Sequence, residues 1–128
     1  MEKSVTYKRN LARKRRKKTI QKKVFGYSDK PRLVVFRSLK NISAQVIDDE
    51  KGNTITSFST LSKDFKAEKK KKVEQSFEVG RKLGEQIIEK KINKICFDRN
   101  GYLYHGRVKA LAEGVRKAVK EAGIDDLF

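Results

Sequence analysis

The sequence predicts an α/β fold in which a three-stranded antiparallel meander gains a fourth strand through a helical crossover. Three short segments rich in β-branched and aromatic residues follow one another between residues 32 and 60, with polar turns between them. A segment with apolar residues at three- and four-residue steps then leads to a fourth short apolar segment at 92–97. A second periodic segment runs from about 106 to 121. The two helices are therefore expected to cover one face of the sheet.

The first three strands are predicted from their residue types. Residues 32–38 read RLVVFRS and show little alternation between apolar and polar positions. They are therefore expected to form a central strand that is buried on both faces. Residues 42–47 alternate between apolar and polar positions, as a strand with one buried face does. Residues 54–60 form the third strand, and Gly52 in the polar loop before it suits a turn that needs a positive φ.

The crossover helix is predicted after a charged connector at 66–72. Its expected apolar stripe consists of Val73, Phe77, Gly80, Gly84, Ile87 and Ile88. The two glycines each cost about 1 kcal/mol in helix propensity, which indicates that the helix backbone lies close against the sheet. Because strand–helix–strand crossovers are right-handed, the third and fourth strands are expected to run parallel.

The last helix is predicted from a regular apolar stripe near the end of the chain. This stripe consists of Val108, Leu111, Ala112, Val115, Val119 and Ala122. Gly123 is the expected C-cap, because a glycine often adopts the left-handed conformation that ends a helix. Leu127 and Phe128 at the end of the sequence are expected to tuck against the domain.

Charge divides the sequence into a basic arm, residues 1–30, and a single α/β domain, residues 31–128. The whole chain has 33 Lys and Arg against 16 Asp and Glu, a net charge of +17. The arm alone carries +10, with six consecutive cations at 13–18, and Pro31 marks its end. Such a run is expected to be disordered alone, or helical once bound. The predicted partner is a polyanion, with nucleic acid first and an anionic membrane second.

The sequence contains no pattern typical of an enzyme. The single Cys96 makes neither a disulfide nor a zinc site by itself, and the single His105 is more typical of binding than of catalysis. No phosphate-binding Walker loop or nucleophile elbow is present. The sheet order is similar to that of ribonuclease-H-type enzymes, but the first strand lacks their carboxylate. We therefore predict no catalytic residue, metal or cofactor. With no signal-peptide pattern and no run of about 20 apolar residues, a cytoplasmic protein is expected.

A loop after the fourth strand carries most of the candidate binding groups. Residues 97–112 read FDRNGYLYHGRVKALA. Tyr102 and Tyr104 would share one face if the loop were extended, where they either stack on bases or pack on the core. Gly106 and Arg107 open the last helix, so free N–H groups and a guanidinium form a candidate phosphate site.

Other residues of this region are expected to shape the loop or extend it. Asn100 and Gly101 form a tight-turn dipeptide. Asp98 is expected to support the turn by accepting loop N–H groups, or to pair with Arg99. Two further pairs, Arg37-Ser38 and Lys40-Asn41, leave the first strand at the same end of the sheet and would add basic surface.

The motif at 97–112 resembles the C-terminal signature of the bacterial large-subunit ribosomal protein eighteen family, whose members bind 5S ribosomal RNA. The similarity extends over most of the chain, because the arm, the strand pair at 32–48 and the glycine-bearing helix follow in the family's order. The resemblance implies a structural protein of the cytoplasmic ribosome. It implies 5S and 23S rRNA as partners, joined in the central protuberance beside other 5S-binding proteins, and no membrane partner.

The resemblance also implies a set of RNA-binding residues. They are Arg13, Arg15, Arg16 and Lys17 in the arm, Arg37 and Ser38 beside the first strand, and Tyr102, Tyr104, His105, Gly106 and Arg107 in the loop. Asn41 is added to these candidates from its place on the basic surface beside the first strand. The sequence departs from the family at 41–43, where Asn-Ile-Ser replaces the common His-Ile-Tyr and removes an aromatic contact. The arm is also longer and more basic than usual. The alternative function is a peripheral-membrane or acidic-partner adaptor that uses the arm alone, which leaves the loop unexplained. A ribonuclease is a weaker third option.

Overall fold

The computed structural model describes residues 4–21, 24–63, 65–66 and 71–128. Of the predicted charged connector at 66–72, residues 67–70 lie outside this part of the chain. The described residues form three helices and four strands. In chain order these are α1 Val5–Gln21, β1 Arg32–Arg37, β2 Ile42–Asp48, β3 Asn53–Ser59, α2 Lys72–Glu89, β4 Cys96–Asp98 and α3 Arg107–Glu121.

The four strands form one mixed sheet in the order β3-β2-β1-β4. β1 pairs antiparallel with β2 and parallel with β4, and β2 pairs antiparallel with β3. The predicted meander is therefore confirmed, and β3 runs in the same direction as β4. The central position of β1 is confirmed too, since Leu33, Val34 and Val35 are all buried.

β4 is shorter than the predicted strand at 92–97. Ile92 instead lies just beyond the end of α2 and is hydrogen-bonded to it, since its N–H donates to the Ile87 carbonyl at 3.1 Å. Pairing with β1 begins only at Cys96, which lies opposite Arg32. The predicted start of this strand at residue 92 was wrong. The apolar residues of the segment suit a strand, but Ile92 is hydrogen-bonded to the end of α2 instead.

The helices α2 and α3 both lie on one face of the sheet, as predicted. Leu33 of β1 and its β2 neighbour Val46 belong to the same core as Leu83 of α2 and Leu111 of α3. At the end of α3, Gly123 has φ 92°, and its N–H donates to the Lys120 carbonyl. Gly123 therefore has the predicted left-handed conformation, but it lies one residue after the C-cap, which is Ala122. Ala122, predicted on the buried stripe, is exposed because it lies at the end of the helix.

The buried face of α2 differs from the prediction. Val73 is 49% exposed, whereas Val79 and Leu83, which the predicted stripe left out, are fully buried. Gly80 and Gly84 make the close approach expected of them, but to α3 and not to the sheet. A Cβ on Gly80 would collide with the Leu111 carbonyl oxygen. Val73 lies on the same face of α2 as Gly80, seven residues earlier, and its exposed position is in the first turn of the helix.

Contacts hold both the C-terminus and the segment before β1 against the sheet region. Leu127 is buried and the Phe128 ring stacks on Phe97 with centroids 5.3 Å apart, which confirms the tucked C-terminus. Near the N-terminus, the Gly26 N–H donates to the Asp49 carboxylate at 2.7 Å, and the Asp49 N–H donates back to the Gly26 carbonyl at 2.8 Å. The division between arm and domain at residue 30 stays a prediction, as does the arm's disorder when free.

Candidate nucleic-acid interface

A basic groove of about 800 Å³ lies between α1 and the loop that leads into α3. It brings together residues that are far apart in the sequence, from the arm, the end of β1 and the start of α3. Eight of the twelve predicted RNA-binding residues line it: Arg13, Arg16, Arg37, Ser38, Tyr102, His105, Gly106 and Arg107. Four of these eight are arginines, so the groove has the charge and the donors to hold phosphates.

Tyr102 holds two of the groove's arginines in place. The Arg13 guanidinium lies 3.9 Å from the centroid of its ring, and the Arg37 guanidinium lies 5.1 Å from it. The Tyr102 hydroxyl donates to the Arg37 carbonyl at 2.9 Å and accepts from the Arg37 N–H at 3.1 Å. The aromatic ring is therefore already in contact with cations of its own chain, and the end of β1 is fixed to the loop.

The arm helix α1 docks on the turn at Asn100 and Gly101. Both residues have positive φ, 55° and 78°, which confirms the predicted tight turn. The Arg16 Nε donates to the Gly101 carbonyl at 2.8 Å. A Cβ on Gly101 would lie 2.5 Å from the Arg13 carbonyl oxygen, so only glycine lets α1 come this close.

The start of α3 presents positive charge to the groove. Arg107 donates to the Ser38 carbonyl at 2.8 Å, and no side chain caps the helix at Gly106. Burial lowers the pKa of Arg107, and the neighbouring Arg37 lowers it further. Two guanidiniums that repel each other beside a helix N-terminus are stabilised by an anion placed between them.

Asp98 supports the loop from beneath. It is buried, its Oδ1 accepts the Asn100 N–H at 2.8 Å, and its Oδ2 pairs with Arg32 at 2.7 Å. The predicted scaffold role is therefore confirmed, but the ion-pair partner is Arg32 and not Arg99. Arg32 also pairs with Asp49, and its hydrogen bonds hold the pKa of Asp49 below the usual value.

Four predicted residues lie outside the groove lining. Arg15 is exposed on α1, and Lys17 is half-buried beside Gly101. Asn41 accepts a hydrogen bond from Thr60 at 2.9 Å. Tyr104 packs edge-on against Phe97 and accepts from Arg116 at 3.0 Å, so its partners differ from those of Tyr102. The loop is turned and not extended.

Sequence reasoning missed part of the groove. Thr6, Arg9 and Asn10 of α1 also line it. Arg9 precedes Arg13 by four residues and Arg16 by seven, the spacing of one helix face. If the arm is a regular helix, this spacing predicts that Arg9 lies on the same face as Arg13 and Arg16.

The described residues show neither a candidate metal site nor a helix that could span a membrane. No group of three or more His, Cys, Asp or Glu residues in this part of the chain could hold a metal ion. None of its helices is long and apolar enough to cross a membrane. The fold and the basic groove together define a small basic α/β protein whose groove lies beside a docked basic helix.

The comparisons with known proteins give the family. The family described as ribosomal L18 of archaea, bacteria, mitochondria and chloroplasts matches residues 7–125. A large ribosomal subunit protein uL18 of Thermotoga neapolitana is 53% identical over 112 residues, covering 86% of this chain and 92% of the relative. Its counterpart in Sorangium cellulosum is 52% identical over 117 residues, with 90% and 95% covered.

This chain belongs to the ribosomal L18 family. It is a structural protein of the large ribosomal subunit and not an enzyme, and its location is the cytoplasmic ribosome.

Proposed function

We propose that this protein binds 5S rRNA through the groove and helps to attach it to 23S rRNA in the central protuberance. The observation that carries the proposal is the meeting of the arm helix and the loop in the basic groove, where Arg13 and Arg37 contact the Tyr102 ring and Arg107 lines the same groove. Guanidiniums that are fixed relative to one another bind phosphates in one geometry, so they select a folded RNA by its shape. Exposed His105 at the rim adds a donor for phosphate or 2′-OH groups.

The arrangement of cations on α1 supports contact with a second RNA. Arg9, Arg13 and Arg16 line the groove, whereas Lys14 and Arg15 are exposed and do not line it. The helix therefore carries positive charge on more than one side. In the proposal, the groove side binds 5S rRNA and the outer side binds 23S rRNA, with counterion release contributing on both sides.

A competition titration tests the proposal. The full chain is titrated with purified 5S rRNA at two salt concentrations, with transfer RNA as the competitor, in a filter-binding assay. The proposal predicts selective binding of 5S rRNA that persists at the higher salt, because a shaped groove contributes more than charge alone. Equal binding of both RNAs that is lost at higher salt would contradict it, since that is the behaviour of an unspecific basic arm.

A further inference from the structure

A cleft between α2 and α3 has the opposite character to the basic groove. It has a volume of about 380 Å³ and is lined by Val73, Glu74, Phe77, Glu78, Ala110 and Glu113. Val73 is 49% exposed and Phe77 is half-buried, so an aliphatic and an aromatic side chain are open to a partner. Every charged residue that lines this cleft is a glutamate, although the chain as a whole carries +17.

Among the described residues, these glutamates make few ion pairs. In the part of the chain that the structure describes, no ion pair includes Glu74 or Glu78. Glu113 has a single contact at 3.9 Å with Lys109, and both side chains are about half exposed. The ammonium of Lys117 lies 5.7 Å from the Phe77 ring centroid, so a cation of the chain itself already rests beside the aromatic ring.

The cleft lies next to the basic groove. Arg107 at the start of α3 lines the groove, and Glu113 lies six residues later, about 9 Å along the helix axis. The Lys72 ammonium donates to the Leu39 carbonyl at 2.7 Å, which ties the start of α2 to the rim of the groove. The charge therefore changes sign over less than two helical turns. Phosphates attracted to the groove are repelled at the cleft.

We propose that this cleft docks a lysine- or arginine-rich segment of a neighbouring protein of the large subunit, with an apolar side chain placed against Val73 and Phe77. Exposed apolar surface with a polar rim is typical of protein interaction sites. The glutamate rim favours a basic protein segment and disfavours RNA. The proposal adds a protein contact to the RNA contacts above, and it does not depend on 5S rRNA binding.

Site-specific photo-cross-linking in assembled large subunits tests the proposal. A photoreactive amino acid replaces Val73 in the full chain, and a second preparation carries it in place of Leu61, which is 76% exposed and lies outside the cleft. The expected product joins position 73 to a basic segment of one ribosomal protein and is absent from the Leu61 control. Adding Glu74→Lys and Glu78→Lys is expected to lower its yield about tenfold, because two attractive charges become repulsive.

Other products would overturn the proposal. They are cross-links from position 73 to rRNA or to a second copy of this chain, no cross-link in assembled subunits, or a yield that the two lysine substitutions leave unchanged. The Glu74→Lys, Glu78→Lys variant is expected to keep its 5S rRNA binding, because neither residue lines the groove. Failure of the cross-link with intact RNA binding would therefore count against the cleft alone.

Discussion

Replacing Tyr102 with leucine is expected to weaken 5S rRNA binding about tenfold and to lower the salt slope of binding by about one unit, the value of one lost phosphate contact. The reason is that the ring contacts Arg13 and Arg37, so its loss releases both guanidiniums from their fixed positions. Filter binding over a range of salt concentrations measures both quantities.

The salt slope separates this positioning role from base stacking. A ring that only stacked on a base would contribute affinity without counterion release, so Tyr102→Leu would weaken binding and leave the slope unchanged. That result would contradict the positioning role. Tyr102→Phe is the matched control. It keeps the ring contacts with both arginines and loses only the hydroxyl's hydrogen bonds to Arg37, so it is expected to keep the slope.

Replacing Gly80 with alanine is expected to lower the free energy of unfolding by about 3 kcal/mol, the upper part of the usual range for overpacking. Helix propensity alone predicts the opposite sign, a gain of about 1 kcal/mol. Packing decides the sign, because the new Cβ would collide with the Leu111 carbonyl oxygen of α3. That atom belongs to helix backbone and cannot turn aside as a flexible side chain does.

Denaturant unfolding of the free protein measures this difference. Lys82→Ala is the matched control on the same helix, since its side chain is 48% exposed, and it is expected to change stability by less than about 0.5 kcal/mol. A Gly80→Ala protein that is as stable as the original chain, or more stable, would show that α2 and α3 do not pack this closely.

Features set by local residue patterns were predictable from the sequence. The buried run in β1 and the apolar stripe of α3 depend on residue types a few positions apart, and Gly123 marks the end of α3 through its own positive φ. The same holds for the turn at Asn100 and Gly101. These features need no knowledge of what lies across the molecule.

Features set by distant contacts were not predictable in the same way. Val73 is exposed in the first turn of α2, seven residues before the contact of Gly80 with α3, and the periodicity of α2 does not show where that contact begins. Arg32 lies between Asp49 and Asp98 only because of the register of the sheet. Likewise, the candidate residues in the arm and the loop were predicted separately, and the docking of α1 on Gly101 is what joins them in one groove.

In the proposed function, the position of the groove's cations, and not their number, gives selectivity for 5S rRNA. The most direct test compares two double variants that each lose two positive charges. One carries Arg37→Ala and Arg107→Ala in the groove, and the other carries Lys82→Ala and Lys120→Ala on exposed helix positions outside it. The measured quantity is the ratio of 5S rRNA to transfer RNA affinity at one salt concentration. We expect the groove variant to lose this preference and the control to keep it. An equal fall in both would show that the number of cations, and not their position, gives the preference.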